Sequence, residues 1–324
     1  MSAESVAVEG RRVRANGIEL ALDAFGDGRD PPLVLLMGLG LPRLGWDEEL
    51  CRVLAARGFH VVRFDNRDVG GSTHLHDAPR PDLAAALRGD TSSAAYRLED
   101  MADDTAGLLD VLGIESAHLV GASMGGMIAE TLAIRRPERR TEPDLDHVDG
   151  RPMGRSATTR RRVGALRPAR AHPRGARGGR RCDVAARNRK DVLDANLIGS
   201  PGFEFDEARV REHARRTWDG GHDPRGVARQ LMAIQASGDR TEALRLLEVP
   251  TLVIHGAADP LIQLAGGEAT AAAIPGARLE VVEGMGHDLP AELYGFFADR
   301  IEELARAADR RRVWAAAPAR PGAD

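Results

Sequence analysis

Ser123 stands in a segment whose residue types and spacing are typical of a catalytic nucleophile. Residues 121–125 read Gly-Ala-Ser-Met-Gly, which is the Gly-x-Ser-x-Gly spacing. An apolar run at 117–120 predicts a buried strand before it, and an apolar run that ends before Pro137 predicts a helix after it. Gly is abundant, with 36 residues, so the spacing alone is a weak signal. A serine on a tight turn between strand and helix is presented at the sheet edge, beside a helix N-terminus that favours developing negative charge. This setting predicts that Ser123 is the nucleophile.

Two later loops supply the side chains that a serine nucleophile needs. Asp259 follows the predicted strand 251–255, and His287 follows the predicted strand 278–282 in a Gly-Met-Gly-His turn. In a Ser-Asp-His arrangement the histidine takes the serine proton, and the aspartate holds the imidazole tautomer. Because parallel strands end at one edge of a sheet, we predict that His287 is the base and Asp259 its carboxylate. His255 is the competing base, but its place at a strand end before Gly favours a packed side chain.

The remaining patterns predict the elements that bring these side chains together. Asn16-Gly17 between two short runs predicts a hairpin. Strands then alternate with helices, which predicts βαβ crossovers and a mostly parallel sheet. The predicted strands are residues 12–15, 18–23, 32–37, 60–64, 117–120, 251–255 and 278–282. The predicted helices are residues 46–57, 97–112, 265–274 and 293–307, the segment that ends before Pro137, and a helical cap within 191–247.

Composition argues against several other classes of protein. A formal net charge of -4 gives no reason to expect a nucleic-acid partner. Cys51 and Cys182 lack metal-type spacing, so neither a zinc site nor a disulfide framework is predicted. Residues 1–22 contain no apolar segment of a signal peptide, and no run approaches the roughly 18 apolar residues of a membrane span. No Gly-rich phosphate loop follows the strand at 32–37. We therefore expect a cytoplasmic protein without a cofactor or a metal.

Six motifs occur in an order that points to one family. They are residues 37–40, 45–46, 65–72, 121–125, 255–260 and 284–287. In these motifs the chain resembles α/β-hydrolases, and most of all the branch that contains aclacinomycin methylesterase and cofactor-free esterases. The resemblance covers about residues 10–138 and 192–305.

The resemblance implies the α/β-hydrolase fold, a mostly parallel sheet flanked by helices with a helical cap insertion. It implies a triad of Ser123, Asp259 and His287. It also implies an oxyanion hole made by two backbone N–H groups, those of Leu39 and Met124. The charged residues at 65–72 are interpreted as a structural turn, and the acidic residues at 99–104 as a solvated helix face.

The expected activity is hydrolysis of a small to medium apolar carboxylic ester through an acyl-enzyme on Ser123. With the same triad, cofactor-free perhydrolysis and C–C bond hydrolysis are the enzymatic alternatives. A hydrolase-like chain that is inactive or only binds a ligand is the third possibility. The sequence leaves the acyl group, the alcohol group and the oligomeric state open.

One segment departs from the family pattern. Residues 139–190 contain 15 Arg and no Ile, Phe, Tyr or Trp, although the family fold places a strand and the start of the cap here. A true Arg-rich insertion is one explanation. A shifted reading frame in a GC-rich gene is the other, and it is our hypothesis. Residues 145–150 can be coded CTC GAC CAT GTC GAC GG, which read one base later gives Ser-Thr-Met-Ser-Thr, similar to the strand exit of related hydrolases.

The sequence therefore divides into five segments. The hydrolase core occupies residues 1–138 and 248–307, and a helical cap occupies residues 191–247. The anomalous segment is residues 139–190, and a disordered tail is predicted for residues 308–324.

Overall fold

The computed structural model describes residues 8–136, 192–219 and 223–316. The strands are β1 (Val8–Ala15), β2 (Ile18–Phe25), β3 (Pro32–Leu36), β4 (His60–Phe64), β5 (His118–Gly121), β6 (Leu252–Gly256) and β7 (Arg278–Val282). The helices are α1 (Glu48–Ala56), α2 (Leu83–Ala86), α3 (Leu98–Leu112), α4 (Met124–Arg135), α5 (192–198), α6 (Glu207–Asp219), α7 (Pro224–Ser237), α8 (Thr241–Leu244), α9 (Leu264–Ala273) and α10 (Tyr294–Ala316). None of the helices described is both long and apolar enough to cross a membrane.

The first five strands form one mixed sheet in the order β1-β2-β4-β3-β5. The hairpin predicted at Asn16-Gly17 joins β1 and β2, and both of its turn residues have positive φ, 46° and 81°. Strand β2 runs antiparallel to β4, whereas β3 runs parallel to both β4 and β5. The sheet is therefore parallel where it carries the predicted nucleophile.

Strand β3 shows why its sequence is apolar throughout. Val34 and Leu36 pack in a cluster with residues of α3 and α4, while Leu33 and Leu35 pack on the opposite face with residues of α1 and α10. All four side chains are fully buried. A parallel strand covered by helices on both faces has no solvent side, so it shows no alternation of polar and apolar residues.

The last two strands form a separate parallel pair, β6 with β7. Within the described parts of the chain, β5 pairs only with β3, and β6 pairs only with β7. The anomalous segment 139–190 falls between β5 and β6 in the sequence and lies outside the described residues.

Several element boundaries differ from the sequence prediction, and those of α1 and α10 have a clear physical reason. Helix α1 begins at Glu48 instead of residue 46, because Asp47 caps it by accepting from the Glu49 N–H. Helix α10 continues to Ala316, so the predicted start of the tail at 308 is too early. Arg and Ala are strong helix formers and extend the helix, although they bring little apolar surface. Residues 317–324 lie outside the described part.

Candidate active site

Ser123 lies on the sharp turn between β5 and α4, with φ 53° and ψ -120°. Positive φ is uncommon for a residue with a Cβ, and the surrounding packing must hold it there. Gly121 and Gly125 make the turn possible. A Cβ on Gly121 would collide with the backbone of Gly125, and a Cβ on Gly125 would collide with the Leu36 carbonyl in β3. Both glycines of the motif are therefore required by close backbone contacts.

Asp259 and His287 are brought into direct contact by the loops that follow β6 and β7. His287 Nδ1 lies 2.7 Å from Asp259 Oδ2, and the Asp259 side chain is only 5% exposed. The other carboxylate oxygen, Oδ1, accepts from the backbone N–H groups of Leu261 at 2.8 Å and Ile262 at 2.9 Å. Because Oδ1 is fixed by two backbone donors, Oδ2 stays directed at the imidazole. With Nδ1 protonated and donating, Nε2 carries the free lone pair.

His255 does not make this contact. Its Nε2 lies 2.9 Å from the Ile262 carbonyl oxygen and 3.9 Å from Asp259 Oδ2. The ring packs against Gly267, where a Cβ would crowd it. His255 is therefore a packed side chain beside the carboxylate, as its sequence position predicted.

The turn after β3 lies against the serine. A Cβ on Gly38 would come within 3.2 Å of the Ser123 Cβ, so Leu39 is near Ser123. Met124 is the first residue of α4, and the N–H groups of a first helical turn have no partner within the helix. Neither the Leu39 N–H nor the Met124 N–H donates to any residue that the structure describes. These are the two donors predicted for the oxyanion hole.

The remaining relationship in the site is the one between Ser123 and His287. Among the hydrogen bonds of the described residues, none joins Ser123 Oγ to His287. Catalytic hydrogen bonds are often long in unliganded enzymes and shorten when substrate binds. The structure thus joins Asp259 to His287 and places Ser123 at the elbow.

The loop that carries His287 is held by a segment that sequence reasoning missed. The His287 N–H donates to the Ile198 carbonyl at 2.7 Å, and the Gly286 N–H donates to Ser200 Oγ at 2.8 Å. Ser200 Oγ in turn donates to Asp288. Residues 198–202 therefore hold the His287 loop in place through hydrogen bonds. The only sequence signal was the Gly-Ser-Pro-Gly run just before Phe203, which predicts a turn but not its partner.

The charged side chains at 65–72 form buried hydrogen bonds and ion pairs that hold this turn in place, as expected for a structural turn. Asp65 is fully buried and accepts from the Arg43 backbone N–H at 2.5 Å, from its guanidinium at 2.7 Å and from the Gly71 N–H at 2.8 Å. Asp68 is also fully buried and accepts hydrogen bonds from both Nε and Nη2 of Arg229, at 2.7 and 2.6 Å. Ser72 Oγ closes the turn by donating to the Asp65 carbonyl.

The acidic face of α3 needs a correction. Asp104 was predicted to be solvated, and that is wrong, because the residue is 2% exposed. The Arg67 guanidinium donates to both of its oxygens, at 2.6 and 2.7 Å, and Asn16 donates to it at 2.9 Å. Burial raises the pKa of Asp104, while the hydrogen bonds from Arg67 act against that rise. The sequence could not show that Arg67 reaches this face.

One cluster has donor types that suit a cation. Carboxylate or ring atoms of Asp68, His74 and Asp223 lie within 4.8 Å of one another. The guanidinium of Arg229 lies among them, paired with Asp68 and 3.2 Å from Asp223. The chain itself therefore offsets one of the two negative charges of this cluster.

Comparisons with known proteins agree with this geometry. The family model described as alpha/beta hydrolase fold matches residues 31–139. The chain is 29% identical over 319 residues to rhodomycin D methylesterase DauP from a Streptomyces species, covering 92% of this chain and 98% of that protein. It is 30% identical over 313 residues to 2-hydroxymuconate semialdehyde hydrolase from a Pseudomonas species, covering 94% of this chain and 96% of that protein.

A solved structure gives the same fold. The crystal structure of the enol-lactonase from Burkholderia xenovorans matches with a TM-score of 0.61 and 24% identity, over 91% of this chain and all of that chain. The chain belongs to the α/β-hydrolase family. The similarity to methylesterases confirms the branch that the motifs indicated.

Proposed function

We propose that the protein is a serine esterase that cleaves a small to medium apolar carboxylic ester through an acyl-enzyme on Ser123. The observation that supports this most is the hydrogen bond of 2.7 Å between His287 and the buried Asp259, combined with the strained elbow at Ser123. The contact with Asp259 orients His287 as the proposed base needs, and the turn that carries Ser123 is of the kind that presents a nucleophile, which supports the proposal.

In this mechanism Ser123 Oγ attacks the ester carbonyl carbon while His287 Nε2 takes the hydroxyl proton. The carbonyl oxygen becomes an oxyanion, which the N–H groups of Leu39 and Met124 stabilise; one such donor is worth about 10²–10³ in kcat. The C–O bond to the alcohol then breaks, and His287 returns the proton to the leaving alkoxide. Water attacks the acyl-enzyme with His287 again as base, which releases the acid and restores Ser123. Asp259 keeps the imidazole oriented and stabilises its charged form.

Two alternatives use the same residues, and each has a relative that supports it. C–C bond hydrolysis is supported by the similarity to 2-hydroxymuconate semialdehyde hydrolase. Cofactor-free perhydrolysis is supported by a shorter match, 30% over 121 residues, to a putative non-heme bromoperoxidase, BpoC. We favour the ester because methylesterases match most of the chain. In this proposal the cap segment 191–247 sets the choice of substrate, and the enzyme acts in the cytoplasm.

The test is labelling with a serine-reactive phosphonate, followed by mass mapping of the modified peptide. We expect modification at Ser123 and none in Ser123→Ala. A folded sample that takes no label would contradict the esterase proposal and favour the inactive or ligand-binding form. A panel of methyl esters and vinylogous diketones, with and without peroxide, then separates ester hydrolysis from C–C hydrolysis and perhydrolysis.

A further inference from the structure

Gln230, on cap helix α7, is a fully buried polar side chain that reaches the backbone of the hydrolase core. Its Oε1 accepts from the Gly40 N–H at 2.8 Å, and its Nε2 donates to the Arg67 carbonyl at 2.8 Å. Gly40 lies within the turn after β3, and Arg67 lies in the charged turn after β4. One amide thus joins two core loops to each other and to the cap.

The hydrogen bond between Gly40 and Gln230 restrains the turn that contains the Leu39 N–H. The peptide that carries the Leu39 N–H also carries the Gly38 carbonyl, and that carbonyl accepts from the Leu41 N–H at a long 3.4 Å. Gly40 has φ 71°, so the turn includes a residue type that moves easily between conformations. The hydrogen bond from Gly40 to Gln230 fixes the next peptide plane. This hydrogen bond, at 2.8 Å, is shorter than the one within the turn, and it comes from the cap.

Helix α7 is docked by contacts that do not depend on Gln230. Arg229, 2% exposed, makes a bidentate ion pair with the buried Asp68. Gly226 lies so close to the Asp68 backbone that a Cβ would collide with it, and Val227 packs against Gly40. Loss of the Gln230 amide should therefore leave the helix in place and release only the turn.

We propose that Gln230 is a positioning residue that holds the oxyanion turn in the geometry needed to bind the transition state. This rests on the proposed function, because it assigns the Leu39 N–H to the oxyanion. It makes part of the cap a component of the catalytic framework, beyond its role in covering substrate. The two hydrogen bonds also differ in role: the one to Gly40 orients the turn, and the one to Arg67 orients Gln230.

The experiment compares Gln230→Met with Gln230→Glu. The methionine has nearly the same shape and neither hydrogen bond, whereas the glutamate keeps an acceptor for the Gly40 N–H. The matched control is Ser237→Ala, also on α7. Ser237 Oγ accepts from the Leu98 N–H at 2.8 Å, so this variant loses a hydrogen bond from α7 to α3, about two helical turns along α7 from Gln230. Each protein is assayed for kcat and KM with the best ester, and for amide hydrogen exchange of the peptide that contains residues 37–41.

We expect Gln230→Met to lower kcat about tenfold or more with little change in KM, since the oxyanion forms only in the transition state. Gln230→Glu should recover part of this loss, and Ser237→Ala should keep the parent kcat. Turn amides should exchange faster in Gln230→Met alone. A Gln230→Met enzyme with parental kcat and parental exchange of the turn would overturn the proposal. If the parent does not hydrolyse esters, the proposed function fails, and the exchange measurement still decides whether Gln230 holds the turn.

Discussion

Asp259 Oδ2 lies 2.7 Å from His287 Nδ1, so the other ring nitrogen, Nε2, faces away from the carboxylate and is the base in the mechanism that we propose. The same oxygen is 3.9 Å from His255 Nε2, and that nitrogen is already occupied by the Ile262 carbonyl. Both imidazoles therefore lie close to the carboxylate, but only His287 is near enough to form a hydrogen bond with it.

Asp259→Asn should lower kcat by about 10³–10⁴, because an amide can donate to Nδ1 and so favour the wrong imidazole tautomer. His255→Gln should stay within a few-fold of the parent kcat. Steady-state kinetics on one ester, with circular dichroism to verify folding, makes the comparison. A larger loss of kcat in His255→Gln than in Asp259→Asn would reverse our assignment of the two histidines.

At the elbow, substitution by alanine should have different effects on stability at the adjacent residues Gly125 and Gly126. Gly125→Ala forces a Cβ into the Leu36 carbonyl, and we expect a loss of about 1–3 kcal/mol in the free energy of unfolding, with loss of activity. At Gly126 the nearest atom to an added Cβ is 3.5 Å away, an ordinary contact. Gly126→Ala should therefore be neutral, or slightly stabilising because Ala favours helix. Urea unfolding of both variants checks this, and equal losses would show that the turn is not held by the β3 contact.

The parts of the site that depend on neighbouring residues could be predicted from the sequence. The parts that depend on contacts between residues distant in the sequence could not. The hairpin at Asn16-Gly17 and the elbow at Ser123 follow from turn residues and neighbouring apolar runs, so a short window of sequence suffices. Asp104 and Gln230 lie on helix faces whose partners are 37 and 190 residues away. No periodicity reports such partners, so the buried charge on α3 and the bond from the cap to Gly40 emerge only from the structure.

Asp104 and its neighbour Asp103 give a matched pair on one helix. Asp104→Ala leaves the Arg67 guanidinium buried and without this carboxylate, and we expect a cost of about 3–5 kcal/mol in the free energy of unfolding. Asp103 is 27% exposed and pairs with Arg135 at the surface. Asp103→Ala should therefore cost about 1 kcal/mol or less. Denaturant unfolding of the two variants measures the difference, and similar costs would mean that the buried pair contributes no more than the surface pair.

Acid should destabilise the fold through His213 on α6. Burial lowers the pKa of His213 below 6.5; Asp47 opposes this shift, while Arg216, Arg63 and Arg209 reinforce it. Below that pH the unfolded chain takes up a proton that the folded protein excludes, so stability falls as the pH falls through this window. His213→Gln should reduce the loss of stability between pH 8 and pH 5.5 in thermal or urea unfolding. An unchanged loss would assign the pH dependence to other groups, among them His60, whose pKa burial also lowers.

The strand pairing and burial of β5 and β6 are what a frame shift between them in the gene would explain. Strands β5 and β6 each lack a second strand partner among the residues the structure describes, and their apolar residues are only half-buried, whereas Leu33–Leu36 of β3 are fully buried. The sequence between β5 and β6 holds the Arg-rich segment 139–190. We predict that resequencing shows a frame shift that opens and closes again within this segment, since the sequence after it reads in frame. A chain with the frame restored should have a larger free energy of unfolding, because burial of a central strand outweighs most single contacts. The control is the present chain, unfolded in urea under the same conditions. A gene that encodes 139–190 without a shift, or a restored chain that is no more stable, would show that this segment belongs to the protein as it stands.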